Sequence, residues 1–325
     1  MNRHQQILLG ALVVQVILSM VMLWPRQVTS ETGEPVFPDL SAEDIIALTI
    51  VDNQGQEIAL RKVDDTWVLP EGGDYPAKEE SITPVLEKLT ALSTSTLVAR
   101  TDASHIQLQV DSSNFQRRLD FETAGGDTYT IYLGSAPRYT ATHFRVAGQS
   151  ETYLTTELSS WEVTTQPNSW VDTVYTSIDQ ETLTSVSLEN ANGTFTFVKD
   201  GEDWTLADLE DDETIAAGKI NAIVRNASSL SLQAPLGKEE EPGYGMDAPN
   251  AVVTLETEDG GTHILKVGAL DEENNGYIVK YSDSPYYVRV AQYNVSAMVE
   301  NSREDFLTVE PTPTPEGAEA PGDTP

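Results

Sequence analysis

The sequence repeats itself, and no other feature narrows the possible folds as much. Residues 48–69, LTIVDNQGQEIALRKVDDTWVL, return in outline at 186–206 as VSLENANGTFTFVKDGEDWTL, with Trp204 answering Trp67. Behind each tryptophan lies a helix-like stripe. Ile82, Val85, Leu86, Leu89 and Leu92 match Ile220, Ile223, Val224, Ala227 and Leu230 at one constant spacing. A third block, TYTIYLG (128–134), is answered by THILKVG (262–268). The spacing changes only between elements, as expected when loops vary around a kept scaffold. This reads as two copies of one module, and a chain of 325 residues suits two domains.

The first module is expected over 44–172 and the second over 177–307. Short strands at 45–51, around Ile58 and Leu60, and at Trp67 and Leu69 open the first, with a turn at Asn53-Gln54-Gly55 that Asn190 to Gly193 repeats. The helix over 79–92 carries its apolar residues at i, i+3, i+4, i+7 and i+10, one face against a sheet. Strands follow at 118–123, 129–133, 143–147 and 152–155, and a short helix over 157–164 closes the module, matched by 291–301. The expected class is α+β, two tandem repeats of a mainly antiparallel sheet with packed helices, preceded by one transmembrane helix.

That helix is the uncharged run 7–24, ILLGALVVQVILSMVMLW. At 1.5 Å per residue it would span about 27 Å, near the hydrocarbon thickness. Trp24 suits an interfacial anchor and Pro25 ends the helix. Arg3 on one flank places residues 1–6 in the cytoplasm and the bulk outside a bacterial cell membrane, crossed once. The competing account is a cleavable signal peptide ending at Val28-Thr29-Ser30, although the apolar run exceeds the usual 7–15 residues. Residues 25–43, with three prolines and no apolar period, read as a stalk, and 310–325 as a disordered Pro-rich acidic tail.

Charge and cysteine content remove several function classes. With 52 acidic against 19 basic residues the net charge is −33, which repels phosphate backbones and disfavours nucleic-acid binding. The same acidity is a common solubility device. Without cysteine there is no disulfide, thiolate metal site or thiol nucleophile.

In the second copy the helix is followed by Tyr244-Gly245-Met246-Asp247-Ala248-Pro249, a strand, and Lys266-Val267-Gly268. A tryptophan after paired strands, a helix, this turn and an apolar-Gly strand end together resemble the bacterial domain of unknown function 4340. Met246 stands where the family usually has leucine. The first copy departs further, with Val110-Asp111-Ser112-Ser113-Asn114 at the corresponding place, so its likeness rests on Trp67, the helix stripe and Leu133-Gly134. The signature positions are thus Trp67, Gly134, Trp204, Tyr244, Gly245, Asp247, Pro249 and Gly268. Turn chemistry accounts for the loop: Gly245 takes a positive φ, Asp247 bonds nearby amides and Pro249 fixes the strand entry. Ligand contact is the alternative role for the same residues. The resemblance implies a membrane-tethered extracytoplasmic accessory protein without enzymatic chemistry or cofactor. Its implied partner is an integral-membrane or envelope complex, in association with a transporter of the ATP-binding-cassette type.

No catalytic pattern competes with that reading. His4, His105, His143 and His263 lack metal-ligand spacing, there is no G-x-S-x-G elbow, and Gly218-Lys219 lacks the upstream glycine of a phosphate loop. The clusters Asp208 to Glu213 and Asp271-Glu272-Glu273 could hold calcium, but they miss the D-x-D-x-D-G spacing, and the first is equally a solvated flank before a helix. A ligand-binding ectodomain for a cation or envelope saccharide, using Tyr286 and Tyr287 as exposed aromatics, is the alternative function.

Overall fold

The computed structural model describes residues 33–308. The expected anchor 7–24, the N-terminus 1–6 and the tail 310–325 lie outside the described residues, among which no helix is long and apolar enough to cross a membrane.

The first part of the chain runs β1 (Ile45–Asp52), β2 (Glu57–Val63), β3 (Thr66–Leu69), β4 (Tyr75–Pro76), α1 (Glu79–Thr90) and β5 (Leu97–Ala99). It continues through α2 (Asp102–Gln107), the ribbon β6 (Val110–Asp111) and β7 (Asn114–Phe115), then β8 (Arg117–Thr123), β9 (Thr128–Leu133), β10 (Thr142–Val146) and β11 (Thr152–Thr155). The second part runs β12 (Val174–Ser177), β13 (Leu183–Asn190), β14 (Gly193–Asp200), β15 (Asp203–Leu206) and α3 (Ala217–Ser228). It ends with β16 (Ser229–Gly237), β17 (Ala251–Thr257), β18 (Thr262–Asp271), β19 (Gly276–Tyr281), β20 (Tyr287–Ala291) and α4 (Gln292–Glu300).

These strands form two large sheets whose named pairings are antiparallel. The first has the order β4-β3-β2-β1-β8-β9-β10-β11-β5 and the second β12-β16-β20-β19-β18-β17-β13-β14-β15. Read from β3 in one and from β15 in the other, the two orders coincide through β5 and β16. A register shift between β1 and β8 falls at Ile45/Ala47, and one between β13 and β17 falls at Leu183/Ser185, the matching place.

Each helix buries the stripe that the sequence predicts. Ile82, Val85, Leu86 and Leu89 of α1 and Ile220, Ile223, Val224 and Ala227 of α3 all lie in the core. Each large aliphatic among them contributes about 1.5–3 kcal/mol by leaving water. Glu79 and Glu80 sit in the first turn of α1, favourable to the helix dipole. One continuous apolar cluster joins residues of both sheets. The segment leading out of the first sheet is tied back to it: the Lys78 amide donates to the Trp170 carbonyl at 2.6 Å, and Ala77 bridges Val171.

Three expectations change. The short helix over 157–164 does not form: the segment is turns, with the Ser159 amide donating to Glu162 Oε2 at 2.9 Å. Paired serines and the run Val163-Thr164-Thr165 favour local side-chain bonds and extended backbone over a helix nucleus. The stretch 33–43, read as stalk, docks instead: the Val36 amide donates to the Leu92 carbonyl at 2.8 Å, and Phe37 is buried edge-on to Phe121 at 5.6 Å. Three apolar side chains without periodicity, Val36, Phe37 and Leu40, suffice to hold it. Finally, the acidic run 208–213 does not flank a helix dipole, because α3 begins only at Ala217 and has no acidic residue in its first turn.

Candidate functional site

Trp67 and Trp204 occupy matching places on the short strands β3 and β15, and both are buried. Each lies opposite a lysine of the neighbouring strand, Lys62↔Trp67 and Lys199↔Trp204. The ammonium groups stand 5.4 Å and 6.0 Å from the ring centroids, within cation–π range. Lys199 also donates to the carbonyls of Gln180 and Glu181 at 3.1 and 2.8 Å. Lys62 instead borders a groove of about 430 Å³ lined by Ser41, Glu43, Trp67, Glu79 and Glu87.

The turn after α3 builds a second, smaller core. Side chains alternate along a strand, so Ile278 and Tyr287 point away from the face that holds Val279 and Val288. There they meet Tyr244, Met246 and Leu236. The Tyr244 hydroxyl donates to the Leu236 carbonyl at 3.2 Å, and its ring lies 5.3 Å from that of Tyr287. The loop touches β18 at Gly268, where a Cβ would stand 2.1 Å from the Tyr244 carbonyl oxygen, and the Ala269 amide donates to that oxygen at 2.8 Å. Gly245 takes φ +71°. Gly134 is the same device in the first sheet: a Cβ there would meet the Leu108 carbonyl oxygen at 2.2 Å, and the Ser135 amide donates to it at 2.9 Å. Gln109, at φ +59°, holds the place of Gly245, which no sequence signal announces.

Asp247 departs from expectation. It is exposed and bonds no amide among the described residues, because the amide it would receive belongs to position 249, and Pro249 has none. Asn250 ties the loop down instead, donating through Nδ2 to the Gly268 carbonyl at 2.7 Å. In the first sheet the corresponding Asp111 does make the bond, from the Ser113 amide at 2.9 Å, and its carboxyl is held below the usual carboxylate range by the Ser113 hydroxyl and amide.

Beside the second core lies a groove of about 290 Å³ lined by Glu240, Met246, Ile264, Lys266, Lys280, Ser282 and Tyr287. Lys266 and Lys280 are direct cross-strand partners, an arrangement that like charges disfavour. Burial lowers the Lys280 pKa, and its ammonium donates to the Ser284 carbonyl and sits 5.2 Å from the Tyr287 ring. Tyr287 donates to Glu240 Oε2 at 3.0 Å; burial, then Glu240, raise its pKa. Chemically the groove offers the Lys266 ammonium to an anionic group over an apolar floor, beside a Lys280 held by the Ser284 carbonyl and a Glu240 engaged by Tyr287. Sequence patterning missed it, since two lysines in separate strands carry no motif.

The remaining candidates are structural pairs. His263 lies on β18 with Nδ1 2.7 Å from Asp283 Oδ2, and Tyr281, raised by burial and Asp283, donates to the same carboxylate at 3.1 Å. His143 bonds Ser135 and His105 bonds the Ser150 carbonyl. Asp208 and Glu213 flank Arg303, and Asp271 pairs with Arg289 at 2.9 Å. Among the described residues no group of three or more His, Cys, Asp or Glu side chains is placed to hold a metal ion. Tyr286 and Tyr287 are not the exposed aromatics expected: Tyr287 is buried in the small core, and Tyr286 packs edge-on to Tyr75 at 4.6 Å. Tyr287 opens β20 and Tyr286 precedes it, so alternation of the extended chain sends the two to opposite faces, one packed on Tyr244 and the other on Tyr75. The open aromatic pair is Tyr139 and Trp161, stacked at 5.6 Å and 76% and 57% exposed.

The domain of unknown function DUF4340 matches residues 67–249, more than half of the chain, and the protein belongs to that family. The match opens on Trp67 and closes on Pro249, so it takes in β3 and α1 of the first sheet and the turn of the second. No curated protein and no solved structure matches the chain.

Proposed function

We propose that the protein is a non-enzymatic scaffold or accessory component of a cell-envelope complex, tethered by segment 7–24 with its bulk outside the cytoplasm. In this reading 44–172 and 177–307 are two copies of one α+β module. The shared strand order, with its matching register shifts, supports the duplication. The observation that carries the contact function is the Lys266–Lys280 groove: on a chain of net charge −33, an apolar-floored groove that offers the Lys266 ammonium suits an acidic segment of a partner. An integral-membrane or envelope partner, including a transporter of the ATP-binding-cassette type, fits the tether.

Crosslinking and mass spectrometry on intact membranes test this. The full chain is compared with residues 31–325 on an unrelated anchor and with a Lys266→Glu, Lys280→Glu variant. The expected result is one integral-membrane partner recovered by the first two and lost from the third. Recovery by the full chain alone would make 7–24 the docking element, and recovery of none would sink the scaffold reading.

A second reading is capture of an envelope saccharide on the Tyr139–Trp161 stack, whose open ring faces suit the C–H face of a sugar. Titration of soluble glycan fragments against tryptophan fluorescence, with Trp161→Ala as control, decides it.

A further inference from the structure

The junction between the sheets is a loop laid on a strand. The turn Pro70–Gly72 and Gly73, which follow β3, sit on β16 of the second sheet. A Cβ on Gly72 would lie 2.7 Å from Pro235 Cγ, and one on Gly73 would lie 2.9 Å from Gly237 Cα. Pro235 and Gly237 are buried beneath the loop. Beside it Tyr286 donates to the Asp74 carbonyl at 3.1 Å.

Register identifies the same place in the first sheet. β16 meets β20 as Pro235↔Val288 and Gly237↔Tyr287, and β5 meets β11 as Leu97↔Tyr153 and Ala99↔Thr152. Leu97–Ala99 therefore stands where Pro235–Gly237 stands. There the edge is open: β5 ends its sheet, and Leu97 and Val98 are each 43% exposed. The counterpart of the docking loop is open too. Residues 207–210, which follow β15, are exposed, and Leu209 is 37% accessible. The contact inside the chain is thus of the head-to-tail kind, and it leaves one acceptor edge and one donor loop unused.

We propose that a second copy of this chain fills them, residues 207–210 of one molecule docking on the β5 edge of the next. Leu209 meets Leu97 and Val98, while Asp208 and Glu210 approach Arg100, which follows β5, pairs with Glu151 at 3.2 Å and keeps its side chain 63% exposed. Leu209 and Glu210 stand where the intramolecular loop has Gly72 and Gly73, so this contact is made by side chains and is looser than the one inside the chain. A head-to-tail contact continues into a ring or an open row of molecules. The inference rests on the duplicated-module reading.

The absence of cysteine makes the test clean. Full-length Leu97→Cys and Leu209→Cys variants, purified in detergent, are mixed and mildly oxidised. Thiols brought together by docking react at a raised effective concentration, so this pair should form the linked dimer about tenfold or more faster than Leu97→Cys mixed with Tyr293→Cys, a control at an 80% exposed site. Both positions are exposed, so the variants keep the fold, checked by their melting curves. Sedimentation of the unmodified chain should show self-association that Leu97→Lys with Val98→Lys abolishes. Equal crosslinking rates, or a monomer at every concentration, overturn the proposal. Since no other protein is present, that failure leaves partner recovery from membranes as a separate question.

Discussion

The two sheets share an order but hold it with different residues. At the first hairpin Asp52 accepts the amides of Gln54 and Gln56 at 2.8 and 2.9 Å and the Thr165 hydroxyl at 3.2 Å. At the matching turn Asn190 accepts the Asn192 amide at 2.8 Å and donates to the carbonyls of Met298 and Asn301, both at 2.9 Å. Each side chain ties its turn to the segment closing its sheet, but one is a carboxylate reaching a loop and the other an amide reaching α4. Helix α1 carries Pro84 where α3 has Ala222. The loop lying on the sheet uses Gln109 in one and Gly245 in the other. What persists is the buried stripe, the strand order and the glycine contact; the polar fastenings are exchangeable.

The largest test of that parity is the tryptophan pair. Trp67→Ala and Trp204→Ala should each cost about 3–5 kcal/mol, and urea unfolding should return similar values if both fill one kind of site. A smaller contrast lies in the helices. Pro84 removes one backbone bond on an exposed face, so Pro84→Ala should raise stability by about 3 kcal/mol at most, while Ala222→Pro should lower it by as much. Thermal melts of the two exchanges should move in opposite directions. Gly134→Ala and Gly268→Ala should each lose about 1–3 kcal/mol in chemical unfolding, because the loop backbone leaves no room for a methyl.

The smallest effect is in pH. Burial alone would raise the Asp52 pKa, but the amides of Gln54 and Gln56, the Thr165 hydroxyl and Arg117 outweigh it and lower the net value. A lowered folded-state pKa means stability that is present above the unfolded carboxylate value, about 3.9, and lost as pH falls through the folded one. Asp52→Asn should flatten this acid limb in melts taken below about pH 4. Asn190→Asp should do the reverse: its carboxylate would face two carbonyl oxygens, so the variant is weakest at neutral pH and recovers on acidification.

Much of the fold was legible because strands and helices write their burial as periods of two and 3.6 residues. The Ile82 to Leu92 stripe, the turn at Gly55 and the Trp67–Trp204 correspondence are patterns within short windows, and a repeated pattern exposes them twice. The candidate site was far less legible. Gly268 and Tyr244 carry a motif and were found, but Lys266 and Lys280 meet only because β18 pairs with β19 in one register. Asp247 was misread because a neighbour, Pro249, lacks the amide it would bond.

By itself the sequence determined the two apolar scaffolds, their antiparallel character, the family and the acidity, since each follows from local periodicity or composition. The tertiary structure alone decided that Phe37 is core, that Tyr286 and Tyr287 are covered, and that β16 carries a loop on the edge that β5 leaves open. Those outcomes depend on which distant segments arrive at a surface, and distance in space has no period along the chain.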